Sequence, residues 1–139
     1  DDIINLNNFM INQDAELGTL AAKIQDNKML NNKNIVKVIT DKKLVENNFP
    51  IALNFTRDNL SIDSQNIYHH IGIYSYKTSV LEKFVSLDQT INEKINKLEQ
   101  LRALDNKLKI NVALAKSSPI GVDTEEDYLA IKKIMEYKI

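Results

Sequence analysis

His70 and Tyr74 are residues whose types and spacing suit the binding of a polar ligand. Both lie at residues 67–77, where an alternating pattern predicts a β-strand, so they share one face with Gly72 between them. A glycine there leaves room for a ligand, and imidazole and phenol groups hydrogen-bond hydroxyls or a carboxylate. The alternative, favoured on the pattern alone, is a half-buried strand whose aromatic residues pack on a helix. His69 faces the other side and is interpreted as structural.

Glu99 and Gln100 place a carboxylate and an amide on a predicted helix. That helix begins at Thr90, because its hydroxyl and Glu93 three residues later match a capping box. The predicted apolar stripe comprises Ile91, Ile95, Leu98 and Leu101. Exposed glutamate and glutamine are common on helices, so the spacing alone favours a solvated helix face.

Asp123 precedes Thr124 at the turn into the last predicted helix. A carboxylate at such a turn can cap the helix or bind a hard cation such as Mg²⁺. Capping is the commoner role of an aspartate there. Mg²⁺ that is held mainly by substrate phosphates needs only one or two protein carboxylates, so one aspartate is compatible with a metal site.

Arg57 directly follows a predicted strand. An arginine at a strand end can bind a carboxylate or a phosphate through two parallel hydrogen bonds. The alternative is a solvated strand end, and the sequence favours neither.

The composition argues against several classes of protein. With 139 residues the chain fits one domain, and its formal net charge of -1 lacks the basic footprint of nucleic-acid binding. It has no cysteine, which excludes disulfides and fits a reducing compartment, and no apolar run approaches the roughly 18–20 residues of a membrane span. Nucleotide-binding glycine loops and zinc motifs are absent from the sequence. We therefore expect a cytoplasmic protein that binds neither nucleic acid nor membranes.

Apolar periodicity predicts strands that alternate with helices. Strands are predicted at 17–24, 35–40, 51–56, 67–77 and 109–115, the second and third forming a long-looped hairpin. Helices are predicted at 1–13, from a capping box of Ser79 and Glu82, from Thr90, and from Asp123 or Thr124. The core face of the last helix is predicted to be Tyr128, Leu129, Ile131 or the methylene groups of Lys132, Ile134 and Met135. This alternation indicates an α/β or mixed class.

Five motifs, taken in order, resemble one family over nearly the whole chain. They lie at residues 34–38, 52–57, 70–76, 98–102 and 122–127. The Leu-Glu-Gln-Leu-Arg and Val-Asp-Thr elements at this separation are similar to those of the CMP-Kdo synthetases (3-deoxy-manno-octulosonate cytidylyltransferases). The resemblance implies a partial nucleotide-diphospho-sugar transferase fold, Rossmann-like and α/β with a mixed sheet. Residues 1–139 would be a single domain, the C-terminal sugar-binding and dimerisation part, without the N-terminal nucleotide-binding portion.

The resemblance also implies a reaction. In this family the anomeric hydroxyl of an eight-carbon acidic sugar, Kdo, attacks the α-phosphate of CTP, giving CMP-Kdo and pyrophosphate for lipopolysaccharide synthesis. The residues implied to contact the sugar acid are Arg57, His70, Tyr74, Glu99 and Gln100. Asp123 would hold Mg²⁺ beside a second aspartate that the family places before the position of Asp1. The implied assembly is a homodimer.

Two other functions stay open from the sequence. The chain begins with Asp1 rather than methionine and lacks the family's arginine-bearing nucleotide loop, so we expect a processed or trimmed product. One alternative is therefore a non-catalytic remnant or oligomerising module of the same fold. The other is a cytidylyltransferase for another acidic sugar, such as an amino-Kdo or a sialic acid, although the Leu-Glu-Gln-Leu-Arg helix favours the Kdo type.

Overall fold

A computed structural model describes residues 1–60, 66–118 and 121–138 of the chain. Its elements, in chain order, are α1 (Asp2–Asn12), β1 (Leu17–Ala22), α2 (Asn27–Leu30), β2 (Lys37–Thr40), β3 (Ala52–Thr56), β4 (Ile67–Tyr76), α3 (Thr78–Ser86), α4 (Ile91–Asn96), α5 (Gln100–Asp105), β5 (Ile110–Leu114) and α6 (Glu125–Glu136). Each predicted strand forms, with its ends within two residues of the prediction. The polar segment 57–65, for which the sequence predicts a surface loop, lies outside the described residues from residue 61 onwards.

The five strands form one mixed sheet in the order β3-β2-β4-β1-β5. β1 runs parallel to β5, and the other neighbouring pairs are antiparallel. The direct pairing of β2 with β3 confirms the predicted hairpin. A parallel pair needs a crossover, and here the crossover contains three strands and the helices α2 to α5. The fold is therefore the expected α/β arrangement with a mixed sheet.

One side of the sheet, the front face, is defined by Leu17, Thr19 and Ala21 of β1. These side chains share a face because alternate residues of a strand project the same way. Phe84 of α3 and Leu101 of α5 are buried in the same apolar cluster as Leu17 and Ala21. The helices α3 and α5 therefore cover the front face.

The other side, the back face, is defined by Gly18 and Leu20 of β1 and is covered by α1. Leu6 and Met10 of α1 are buried there beside Leu20 and Phe49. A Cβ atom at Gly18 would lie 2.6 Å from the Met10 Sδ and 2.9 Å from the Phe49 Cζ. The glycine therefore permits the close approach of α1 to the sheet, and helices on both faces sandwich the strands.

β4 carries two extra residues opposite β1. Thr19 pairs with Tyr74 and Leu20 pairs with Ile71, so residues 72–73 have no counterpart in β1. Side chains alternate along a strand, so an insertion of two residues leaves the facing unchanged on both sides of it. The predicted division of β4 into two faces therefore survives the irregularity.

The predicted capping box of Ser79 and Glu82 is wrong. The N-cap of α3 is Lys77, two positions earlier, and no side chain of the described residues caps the helix. Because β4 ends directly before Lys77, the chain turns into the helix at once, and the Lys77 carbonyl accepts a hydrogen bond of 2.9 Å from the Leu81 N–H. The strand end, rather than the local capping signal, sets the start of α3.

The capping box of Thr90 and Glu93 is confirmed, but the helix that it begins is shorter than predicted. α4 ends at Asn96, and Lys97 adopts the left-handed conformation with φ 53°. A second helix, α5, starts at Gln100. A non-glycine residue in this conformation is uncommon, and here it makes the corner between two helices.

This corner overturns half of the predicted apolar stripe. Ile91 and Ile95 are 77% and 74% exposed, whereas Leu98 and Leu101 are buried. Glu93 is the buried residue of α4 instead. The inward side of α4 thus carries a charged residue, which turns its isoleucines towards solvent.

The predicted core face of α6 is also wrong. No residue of this helix is buried, and Tyr128, Leu129, Ile134 and Met135 are exposed. Periodicity shows that a helix has an apolar side, but burial requires an element to cover it, and none of the described elements does so. Among the described helices, none combines the length and apolarity needed to cross a bilayer.

Candidate functional site

His70 lies on the front face and is only 8% exposed. Its ring meets the Phe55 ring edge-on at a centroid distance of 4.9 Å, and its Nε2 is 2.9 Å from the Thr19 Oγ1. Burial lowers the pKa of His70 to about 4 from its ordinary 6.5, and the charge of His69 adds to the decrease. The imidazole is therefore neutral near pH 7, a hydrogen-bonding group rather than a cation.

Tyr74 neighbours His70 as the sequence predicts. The two ring centroids are 5.6 Å apart, and the next ring in the row, Tyr76, is 6.2 Å from Tyr74. Burial raises the pKa of Tyr74 well above its ordinary value, and the charges of Tyr76 and Glu99 raise it further. The phenol therefore keeps its proton and can donate a hydrogen bond. Glu99 lies near the end of this row, because its carboxylate is 3.9 Å from Arg102, whose guanidinium is 4.9 Å from the centre of the Phe84 ring, itself 5.9 Å from the Tyr76 ring.

Gly72 lies within the two-residue insertion of β4. A Cβ atom built on it would meet no atom of the described residues within 4 Å. Open space therefore adjoins the strand between His70 and Tyr74, as the sequence interpretation required. An alanine at position 72 would therefore disturb no packing among the described residues.

Glu99 and Gln100 begin α5 and differ sharply in exposure. The side chain of Glu99 is 71% exposed, whereas Gln100 is 9% exposed. The Gln100 amide makes no hydrogen bond to any residue that the structure describes. α5 packs against β3, which carries Phe55 and leads to Arg57. The predicted solvated helix face thus holds for Glu99 and fails for Gln100.

The side chain of Arg102 fixes the α4–α5 corner through an ion pair that the sequence interpretation missed. Its Nε and Nη2 donate to the two carboxylate oxygens of Glu93 at 2.8 and 2.6 Å, and its guanidinium lies 4.9 Å from the centre of the Phe84 ring. These hydrogen bonds hold the pKa of Glu93 below its usual value. Glu99 lies 3.9 Å from Arg102 on the outer side of the pair. The pair therefore supports the helix start that carries Glu99 and Gln100.

Arg57 is half-buried beyond the end of β3. Its Nη1 donates a long hydrogen bond of 3.5 Å to the Asn34 carbonyl. Its own carbonyl accepts a hydrogen bond of 2.9 Å from Lys37, whose ammonium group also donates to the Asn32 carbonyl at 2.8 Å. Lys37 is fully buried, and burial lowers its pKa. No sequence pattern singles out Lys37, because a lysine in a strand usually faces solvent.

Asp123 does not cap α6. The N-cap is Thr124, whose hydroxyl accepts from the Asp127 N–H while the Asp127 carboxylate accepts from the Thr124 N–H. The Asp123 carboxylate makes no hydrogen bond or ion pair with any described residue, and none joins it to His70. Capping, the commoner of its two predicted roles, is thus performed by its neighbour.

A cavity of about 600 Å³ lies away from these residues. It opens at the carboxyl ends of the parallel strands β1 and β5, where Ala22 and Leu114 line it with Lys23 and Lys116. Ligands often bind at this edge of α/β sheets, so the strand directions could have indicated it. A separate cleft of about 470 Å³ is lined in part by Glu99, beside the ion pair.

The buried imidazole makes stability depend on pH. Below pH 6.5 the unfolded chain protonates His70, whereas the folded chain does so only near pH 4, so acidification through that window destabilises the fold. We expect His70→Gln, which does not titrate, to reduce the loss of unfolding free energy between pH 7 and 4.5 by about 2 kcal/mol. Urea denaturation of the wild type and the variant at pH 7 and at pH 4.5 measures this loss of unfolding free energy. His69→Gln is the matched control, and an equal or larger effect there would contradict the assignment to His70.

The arrangement of one mixed sheet between helices, with polar groups over its front face, defines an α/β nucleotidyltransferase-like fold. A solved structure described as CMP:2-keto-3-deoxy-manno-octonic acid synthetase complexed with CTP matches with a TM-score of 0.86 and 23% identity. It covers 99% of this chain and 56% of that chain. The family model described as cytidylyltransferase matches residues 5–110, so the chain belongs to the cytidylyltransferase family.

Curated relatives carry a more specific name. The chain is 39% identical over 133 residues to the 3-deoxy-manno-octulosonate cytidylyltransferase of Bartonella bacilliformis, covering 96% of this chain and 54% of the relative. It is 42% identical over 113 residues to the enzyme of the same name from Brucella ovis, covering 81% and 45%. The chain therefore spans about half the length of the curated relatives it matches.

Proposed function

We propose that the chain is the sugar-binding part of a 3-deoxy-manno-octulosonate cytidylyltransferase. In the reaction the anomeric oxygen of Kdo bonds to the α-phosphorus of CTP and loses its proton, while the bond to the β-phosphate breaks and pyrophosphate leaves. The observation that carries this proposal is the row of His70 and Tyr74, with space left open by the described residues at Gly72 between them. The similarity to relatives of that name supports it.

The proposed sugar site divides its work by charge. Arg57 is the cation of the set and suits the carboxylate of the sugar acid. The neutral groups of His70, Tyr74 and Gln100 suit its hydroxyls, and the exposed Glu99 carboxylate accepts from them. Such a site acts mainly by holding the attacking hydroxyl in place, because transfer between phosphates is mostly positioning and charge stabilisation.

Asp123 is the proposed ligand of Mg²⁺. Its chemistry fits, since Mg²⁺ prefers oxygen donors and Thr124 leaves the Asp123 carboxylate free of the cap. Within the described residues no group of three or more acidic or histidine side chains could hold a metal alone, so the substrate's phosphates and further carboxylates would complete the shell. When bound, Mg²⁺ would neutralise charge on the phosphates of CTP.

The remaining parts of the proposal concern the whole protein. CTP and Kdo are the proposed substrates, lipopolysaccharide synthesis the proposed pathway, and a cytoplasmic homodimer the proposed form. Residues 1–139 act in it as a single domain. We propose no nucleic-acid or membrane partner, in keeping with the net charge of -1.

The test is pyrophosphate release from CTP, Kdo and Mg²⁺ by the full-length gene product. We expect turnover that requires all three, with reactions lacking Kdo as the control. Competition by an amino-Kdo and a sialic acid separates the related sugar specificities, and we expect both to compete weakly. No turnover together with no thermal stabilisation by Kdo would refute the proposal and favour a non-catalytic remnant.

A further inference from the structure

Thr19 is a fully buried residue of β1 that touches both the candidate site and the β4 insertion. Its Oγ1 lies 2.9 Å from the His70 Nε2. The same oxygen lies 2.8 Å from the Ile73 carbonyl oxygen and 3.3 Å from the Ile71 carbonyl oxygen. One hydroxyl therefore meets a ring nitrogen and two backbone acceptors.

The hydroxyl of Thr19 has one proton, and the acceptor to which it is donated determines which nitrogen of the His70 imidazole is protonated. A carbonyl oxygen cannot donate, so the contact of 2.8 Å with Ile73 requires the Thr19 hydroxyl to donate its proton there. The Thr19 oxygen is then an acceptor towards His70, and the Nε2 of His70 must carry a proton. In a neutral ring the other nitrogen, Nδ1, is consequently bare.

We propose that Thr19 is a positioning residue that locks His70 in the Nε2–H tautomer, so that Nδ1 accepts a hydrogen bond from a hydroxyl of the bound sugar. This inference rests on the proposed function for the identity of the ligand. The sequence left open whether His70 binds hydroxyls or a carboxylate. An unprotonated nitrogen repels a carboxylate and accepts a hydrogen bond from an O–H donor, so His70 binds a hydroxyl. Recognition of the carboxylate then falls to Arg57.

Three further observations support the assignment. Nδ1 makes no hydrogen bond to any residue that the structure describes. Burial keeps the ring neutral by lowering its pKa. The insertion in β4 brings the Ile73 carbonyl back over Thr19, so the lock depends on the irregular strand. Second-layer partners of this kind commonly fix which nitrogen of a histidine is protonated.

Nitrogen NMR of the full-length gene product without substrate tests the lock directly. The chain has two histidines, so His69→Gln assigns the signals of His70. We expect a protonated Nε2 and an unprotonated Nδ1 at pH 7.5 in the wild type. A protonated Nδ1 would overturn the proposal whatever the enzyme's activity.

Two variants of Thr19 separate positioning from packing. Thr19→Ser keeps the hydroxyl and should keep the tautomer, whereas Thr19→Val is isosteric and should allow both tautomers. For Thr19→Val we also expect KM for Kdo to rise about fivefold with little change in KM for CTP, the loss of one ordinary hydrogen bond. If Thr19→Val does not fold, the wild-type and serine spectra still decide the tautomer.

Titration with Kdo tests the ligand part of the proposal. We expect Kdo to shift the Nδ1 resonance of His70 strongly while Nε2 changes little. Kdo binding that leaves Nδ1 unchanged would overturn the acceptor role, although the proposed function would stand. Absence of any Kdo binding would instead refute the proposed function and, with it, the identity of the ligand here.

Discussion

Replacing Arg102 with methionine is expected to destabilise the fold by about 3–5 kcal/mol, the usual cost of leaving a buried charge without its partner. Glu93 is 5% exposed, and both of its carboxylate oxygens accept from Arg102. Methionine fills the space against Phe84 but supplies no donor. The free energy of unfolding in urea, wild type against variant, measures the effect.

The control keeps the shape of the corner and removes the charge. In the double variant with Glu93→Gln, the glutamine still suits the capping box with Thr90 and carries no charge, so most of the lost stability should return. Equal losses in the single and double variants would assign the effect to packing. A loss below about 1 kcal/mol in the single variant would mean that the pair behaves like an exposed one.

Replacing Asp123 with asparagine is expected to lower turnover of the full-length enzyme at least about 100-fold, because a metal ion contributes several kcal/mol of charge stabilisation in such reactions. The change removes a charge and keeps the size of the side chain. Since Thr124 caps α6, helix content and thermal stability should stay unchanged. Pyrophosphate release across a range of Mg²⁺ concentrations, with circular dichroism, measures both.

The matched control for Asp123 is Thr124→Ala. It should lower the stability of α6 by about 1 kcal/mol, the usual cost of losing such a cap, and leave the Mg²⁺ dependence intact. Wild-type turnover in Asp123→Asn would exclude the metal role. A shift of the Mg²⁺ dependence in Thr124→Ala would mean that the turn itself matters.

Strands and the pairing of His70 with Tyr74 could be predicted because their signals are local. Alternation in a strand specifies its two faces, and the two-residue insertion in β4 preserves them. The burial of helix residues was harder to predict from the sequence. Ile91 and Ile95 have the spacing of a core stripe, but the left-handed Lys97 and the buried Glu93 turn them outwards. No feature of the α4 sequence indicates that Glu93 pairs with Arg102, nine positions later in the chain.

The supporting residues of the candidate site escaped prediction for the same reason. Thr19 and His70 are 51 positions apart, and Lys37 and the Arg57 carbonyl are 20 apart. Their types carry no signal, since threonine and lysine are ordinary residues in strands of a sheet that has a polar side. Residues that could contact a ligand can be predicted from the sequence more readily than the residues that orient them.

The paired insertion in β4 also limits how this strand can evolve. Loss of one residue from positions 72–73 would invert every side chain between the deletion and α3, sending Tyr74 and Tyr76 to the back of the sheet. Loss of both would keep the rings in place but withdraw the carbonyl that receives the Thr19 proton. A deletion here therefore preserves the facing of the rings only if it removes two residues. Even then it removes the acceptor of the Thr19 hydroxyl proton, so His70 would no longer be held in one tautomer.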